Sequence, residues 1–191
     1  MNMPKADPFN ALTIDVEDYF QVSAFSPYIP RTDWPIRECR IERNIDCILA
    51  MLDEHDTKAT FFTLGWVAER FPNVVRRIVN NGHELASHGY GHERVSDQTP
   101  DSFFADINIA KLILEDIAGT EVRGYRAPSF SIGEKNLWAF ETLEKAGYHY
   151  SSSIYPIHHD HYGMPNAPRH AHRIGNLLEI PATTVRFFNR N

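Results

Sequence analysis

Three short stretches carry side chains whose types and spacing could do chemistry together. Asp15-Val16-Glu17-Asp18 sets three carboxylates in four residues after an apolar run, and Tyr19 and Phe20 follow at once. Ser87-His88-Gly89-Tyr90-Gly91-His92 spaces two imidazoles by three residues, with glycines between them. Such a pair can turn both rings to one cation, in a loop or over one helical turn. Divalent ions of the zinc type favour imidazole and carboxylate, and a catalytic site keeps three protein ligands and an open position for water. Arg126-Ala127-Pro128-Ser129-Phe130 adds a guanidinium, which beside a carboxylate holds it ionised and oriented. Each stretch alone has an ordinary explanation: a helix cap, two packed histidines, a surface ion pair. Together they need a scaffold that brings three chain segments to one place.

The hydrophobic pattern supplies that scaffold. Residues 11–15 (ALTID), 58–63 (KATFFT), 83–87 (HELAS), 122–126 and 148–152 read as short strands, and 177–182 (LLEIPA) as a last apolar run. Between them, residues 38–56, 66–81, 99–117 and 134–146 show helical periodicity. Gly82, Gly119 and Gly147 stand where helices should stop, and Thr99-Pro100-Asp101 is a helix start. Strands interleaved with amphipathic helices predict βαβ units and a parallel sheet, with function at the C-terminal ends of the strands. All three reactive stretches fall at such ends. Residues 156–173 read as a loop rich in proline, histidine and glycine.

Composition narrows the partners. The 191 residues are 42% hydrophobic and 23% charged, which predicts one globular domain over residues 1–191. Nineteen Lys and Arg against 25 Asp and Glu give a formal charge of -6, which argues against a nucleic-acid partner. No apolar stretch approaches the roughly 20 residues of a membrane helix. MNMPKADPFN has no apolar core of a secretory signal, so a cytoplasmic location is expected. Cys39 and Cys47, read as lying on one helix, would stand roughly 12 Å apart along its axis, beyond disulfide reach.

The stretches TIDVEDYFQ, ELASHGYGH, GYRAPSFSI, YHYSSSIYP and LLEIPATTVR, in this order, resemble the NodB-type polysaccharide deacetylases, carbohydrate esterase family 4. Within it they are most similar to the exopolysaccharide deacetylases found with exosortase systems. The resemblance implies an α/β fold, a distorted and incomplete (β/α) barrel. It implies hydrolysis of N-acetyl groups on a polysaccharide with the help of a divalent metal, zinc in the first instance. Asp15 matches the family's base, His88 and His92 its metal imidazoles, and Arg126 the arginine that orients the base. Tyr90, Pro128 and Phe130 are expected to line the substrate groove. The second acid of the first motif is open, since either Glu17 or Asp18 could complete the metal set. Strand alternation puts Asp15 and Glu17 on one face, whereas a bend after Val16 would favour Asp18. The bound ion would acidify its water and polarise the amide, Asp15 would take the proton, and a backbone N–H beside Tyr90 or Phe130 would help hold the oxyanion.

Two departures from the family pattern carry expectations of their own. Ser151 stands where an acid would support Arg126, so that support is expected to be weak. The sequence reaches Asn191 before the family's last motif, whose histidine protonates the leaving amine. The reading is therefore a C-terminally truncated form that lacks the closing strands. It would turn over slowly and self-associate through the edge left by LLEIPATTV. His158, His159, His161, His170 and His172 cluster in the 156–173 loop and read as a solvated rim, while His55, His83 and His149 read as packing or surface residues. Two other activities fit the same residues: hydrolysis of small linear or cyclic amides, and glycan binding without turnover.

Overall fold

The computed structural model describes residues 10–159 and 162–185. Seven strands among them, β1 (Thr13–Val16), β2 (Thr60–Thr63), β3 (Glu84–Ser87), β4 (Gly124–Tyr125), β5 (Tyr150–Ser151), β6 (His172–Ile174) and β7 (Leu177–Glu179), form one sheet. Its order is β1-β2-β3-β4-β5-β7-β6, parallel throughout except that β6 runs antiparallel to β7. Five helices pack on it: α1 (Ile41–Glu54), α2 (Gly65–Arg70), α3 (Pro72–Asn80), α4 (Pro100–Ala118) and α5 (Trp138–Lys145). This is the α/β arrangement expected, an incomplete barrel whose sheet does not close among the described residues.

Local chemistry explains the boundaries. α4 starts at Thr99, whose hydroxyl accepts the Ser102 N–H while the Ser102 hydroxyl takes the Thr99 N–H; it stops at Gly119, left-handed at φ 65°. The single helix expected over 66–81 is two. Pro72 cannot continue a helix from its N-terminal side, and Phe71 before it leaves the helical region (φ -128°, ψ 59°), so α2 ends and α3 begins with proline at its first turn. Cys39 precedes α1 rather than lying on it, and both cysteines are free. The segment read as a loop ends in β6, which turns back through Gly175 (φ 62°) onto β7. The outer edge of β7, expected to be uncovered, is thereby paired.

Two apolar layers hold the outer face. Ile41, Ile45 and Leu49 of α1 and Val74 and Ile78 of α3 pack with Val16 and Phe61 of the sheet. Phe103, Ile107 and Leu114 of α4 and Phe140 and Leu143 of α5 pack with Leu85, Tyr125 and Leu177. The inner face is layered differently. At the strands' starts, the Tyr150 ring crosses Gly124 so closely that any Cβ there would collide with it. Next comes Phe62, beside Asp15 and Ala86 in register, with the Arg126 guanidinium 4.1 Å above its ring. Thr13, Asp15 and Glu17 alternate onto this same face. The inner face thus becomes polar only toward the C-terminal ends of its strands.

Candidate metal centre and active site

At those ends three donors converge. Glu17, just past β1, and His88 and His92, past β3, bring one ligand atom each to within 4.8 Å of one another. Glu17 Oε2 lies 2.7 Å from His92 Nε2 and 3.9 Å from His88 Nε2. Both histidines are buried. Nδ1 of His88 stands 2.8 Å from the Arg126 carbonyl, which can only accept, so Nδ1 carries the proton and Nε2 presents its lone pair to Glu17. Burial keeps the His88 imidazole below its ordinary pKa, hence neutral. Burial pushes the Glu17 carboxyl up, but the facing imidazoles outweigh it and leave the group below its ordinary value. Glu17 Oε2 and His92 Nδ1 are buried yet make no hydrogen bond, the 2.7 Å approach of Oε2 to His92 being poorly aligned for one. Two imidazoles and a carboxylate that face one another in this way are the donor set of a zinc-type divalent ion.

The loop between the histidines is held from behind. Asp106 of α4 accepts the Tyr90 N–H (3.1 Å) and lies 3.4 Å from the Gly91 nitrogen. Arg31 fills the space beside Gly91, between the Trp34 and Tyr90 rings, where a Cβ would collide with its guanidinium. His92 itself is left-handed at φ 52°, a strained conformation for a histidine that orients the second ring.

Asp15 lies beside this cluster but takes a different partner. Its Oδ1 accepts from Arg126 Nη1 at 2.8 Å, and Nη1 also donates to Thr13. Arg126 is 6% exposed, and Ser152 receives its other two arms, Nε at the carbonyl (3.1 Å) and Nη2 at the hydroxyl (2.9 Å). The weak support expected for Arg126 is therefore corrected. Serine 151 carries none of it, and its neighbour Ser152 carries two contacts.

The alternative for the second acid resolves geometrically to Glu17. Asp18 caps the next turn, accepting the Tyr19 N–H, and binds the backbone and guanidinium of Arg40; its carboxylate faces away from the imidazoles. Among the groove residues expected, Phe130 lines a cavity of about 580 Å³ with Trp138, Ile157, His159 and Tyr162. Pro128 is buried at the start of a short 3-10 turn. The Tyr90 ring points instead at α2, where its hydroxyl donates to Glu69. The N–H groups of Tyr90 and Phe130 are already bonded, to Asp106 and the Ala127 carbonyl, so neither serves an oxyanion as drawn. A second cavity, about 440 Å³, lies on the other side of His92, lined by Phe20, Gln21, Ser23 and Trp34. Arg94 borders both cavities.

His158, His159 and His170 are exposed and apart from the cluster, as expected of a rim; His161 lies outside the described residues. His83 is buried but accepts the Ala59 N–H and packs on Phe61, as a core histidine does. Sequence reasoning missed Thr13, Asp106 and Ser152. Thr13 was recoverable, since it shares the face of Asp15 and Glu17. Asp106 and Ser152 act through contacts across the sheet that no spacing announces.

Residues 33–151 match the family model for polysaccharide deacetylases, and residues 152–191 match a second, a domain of unknown function (DUF3473). The first contains His88, His92 and Arg126, while Asp15 and Glu17 precede it. A peptidoglycan-N-acetylglucosamine deacetylase of Bacillus cereus is 41% identical over 95 residues, 49% of this chain and 34% of that one. A chitooligosaccharide deacetylase of Azorhizobium caulinodans is 33% identical over 82 residues, 42% of this chain and 39% of that one. Among solved structures, a Mycobacterium smegmatis protein assigned as a polysaccharide deacetylase superposes with a TM-score of 0.70 at 27% identity, over 91% of this chain and 58% of that one. The matched part is thus little more than a third of those curated relatives' length.

Proposed function

The chain belongs to the polysaccharide deacetylase family, and from that premise we propose that it hydrolyses the N-acetyl groups of a glycan with a divalent ion held by Glu17, His88 and His92. The observation that carries this reading is the juxtaposition of a three-donor cluster with a separate, arginine-held carboxylate at the same strand ends. When bound, such an ion supplies Lewis acidity, which acidifies water and polarises an amide carbonyl. Zinc suits the donors best. Asp15 is outside the donor set and takes the proton from the attacking water, as general base. Arg126 keeps that carboxylate ionised and aimed, and its own position is fixed by Thr13 and Ser152. The two cavities flanking His92 give an extended chain somewhere to lie on either side of the scissile amide. That favours a glycan over a small cyclic amide. On the stretches TIDVEDYFQ and LLEIPATTVR we assign the substrate to the exopolysaccharides of exosortase systems.

The decisive experiment is acetate release from N-acetylated oligosaccharides by zinc-loaded and chelator-treated protein. Release that requires the metal is the expected outcome. Turnover of small cyclic imides without release from glycans would replace this reading with the small-amide one. Glycan binding with neither activity would make the protein a silent binding module.

A further inference from the structure

Behind Arg126 stands a carboxylate that the reaction above does not use. Glu179 ends β7, is fully buried, and lies in register with Ser151 of β5. Its Oε1 accepts two backbone N–H groups, those of Ser153 (2.9 Å) and Ile154 (2.8 Å), where the chain leaves the sheet after β5. Ser152 immediately precedes them and gives Arg126 both its carbonyl and its hydroxyl. The Ser153 hydroxyl accepts the N–H of Ala127, so the residue after Arg126 is tied to the same turn. The arm of Arg126 left over, Nη1, is the one that reaches Asp15.

A buried carboxylate is a costly way to fill a strand end, and an apolar side chain would fill it at less expense. Burial indeed pushes the Glu179 carboxyl above its ordinary pKa. What an apolar residue could not do is accept two adjacent amides and so hold residues 152–154 in one conformation. Without that acceptor, two buried N–H groups lose their partner, and the turn has to move to find another. Ser152 would move with it.

We propose that Glu179 is a positioning residue for Asp15: its carboxylate oxygen fixes the 152–154 turn, the turn fixes the Arg126 fork, and the fork fixes the base. Its catalytic consequence rests on the deacetylase reading; its structural content does not. It also gives a task to residues in the part of the chain matched by the model of unknown function, since Ser152, Ser153 and Glu179 all lie there.

Two readouts on the full chain separate the proposal from that reading. The first is the NMR resonance and hydrogen exchange of the Arg126 Nε–H, which reports whether Ser152 still holds the guanidinium. The second is kcat and KM for acetate release, alongside zinc content. In Glu179→Ala the Nε–H should exchange faster, and kcat should fall up to about 100-fold with KM and zinc unchanged, as for a reacting group slightly misplaced. Glu179→Gln keeps an acceptor oxygen and should restore both readouts. Should Glu179→Ala fail to fold, Ser152→Ala carries the test, with faster Nε–H exchange and lower kcat expected from loss of the Nη2 contact. A folded Glu179→Ala with unchanged exchange and kcat overturns the proposal. So does a Glu179→Gln as impaired as the alanine, because acceptance of the two amides would then not be what matters. A wild type without glycan deacetylase activity would sink the functional reading, and the exchange measurement would still decide whether Glu179 holds Arg126.

Discussion

The loop of residues 88–92 and the loop of residues 156–171 are both rich in histidine, and the fold treats them in opposite ways. In the first, His88 and His92 are buried, one ring is locked through the Arg126 carbonyl, and both point at Glu17. In the second, His158 and His159 are exposed, and the face of His159 is stacked on Tyr162 at 3.8 Å between ring centres. His83 forms a third case, buried but bonded to an amide. Residue type is therefore a poor guide to a metal ligand. Three conditions separate the pair at 88 and 92 from the rest: burial, a partner that fixes the proton on the far nitrogen, and a carboxylate with an unmatched oxygen.

The strongest way to break this contrast is to remove a ligand. His88→Ala and His92→Ala should each abolish stoichiometric zinc and with it acetate release. The loss in affinity should exceed the roughly 10–100-fold typical of losing a mere outer partner of a ligand. Elemental analysis of folded protein settles it, and equal zinc in wild type and both variants would end the assignment. Next in size is Asp15→Asn, expected to lower kcat by about 10²–10⁴ while zinc content holds, because Asp15 bonds Arg126 rather than joining the donors. Loss of zinc from a folded Asp15→Asn would exchange the roles of Asp15 and Glu17.

A smaller effect sharpens the division of labour between the neighbouring acids. Asp18 supports the fold, and burial pushes its carboxyl up while Arg40 and two backbone N–H groups pull it further down, below its ordinary value of 3.8. A group held low in the native state contributes stability in full above its unfolded pKa and loses it as pH falls through the native one. Asp18→Asn should thus cost about 1–3 kcal/mol near neutrality, with zinc content unchanged. Thermal unfolding of the two proteins should converge as the pH drops below about 3.8, the carboxyl's ordinary value. A constant gap across the acid range would show that the charge of Asp18 is not what stabilises.

Much of this was legible before the structure. Periodicity located α1, α4 and α5 and the strands that bear Asp15, His88 and Arg126, because those elements bury one continuous face and their ends carry ordinary capping signals. What escaped was set across the sheet rather than along the chain. The break at Phe71-Pro72 lay inside an apolar stripe that suited one helix as well as two. The strand β6 has little apolar character and exists because β7 offers it an edge. Asp18 and Glu17 could not be told apart, since the choice depends on Arg40, 22 residues away, claiming one of them. Ser152 and Glu179 are reached only through the registers of β4, β5 and β7.

The least effect is expected at the rim, and it tests the contrast from the other side. If exposure and missing carboxylate partners disqualify the 156–171 loop, then His158→Ala and His159→Ala should leave zinc stoichiometry and affinity as in wild type. The physical loss should be confined to the ring contact of His159 with Tyr162. Aromatic contacts of this kind contribute about 0.5–1.5 kcal/mol, and one at an exposed site belongs at the low end. That contact helps shape the wall of the larger cavity, which His159 and Tyr162 line together with Phe130. Any change in turnover should therefore be a modest rise in KM for long oligosaccharides, with kcat and short substrates unaffected. Isothermal titration with zinc and a chain-length series of substrates make the comparison. A drop in zinc affinity in either variant would mean that this loop reaches the metal, and burial would no longer separate the two sets of histidines.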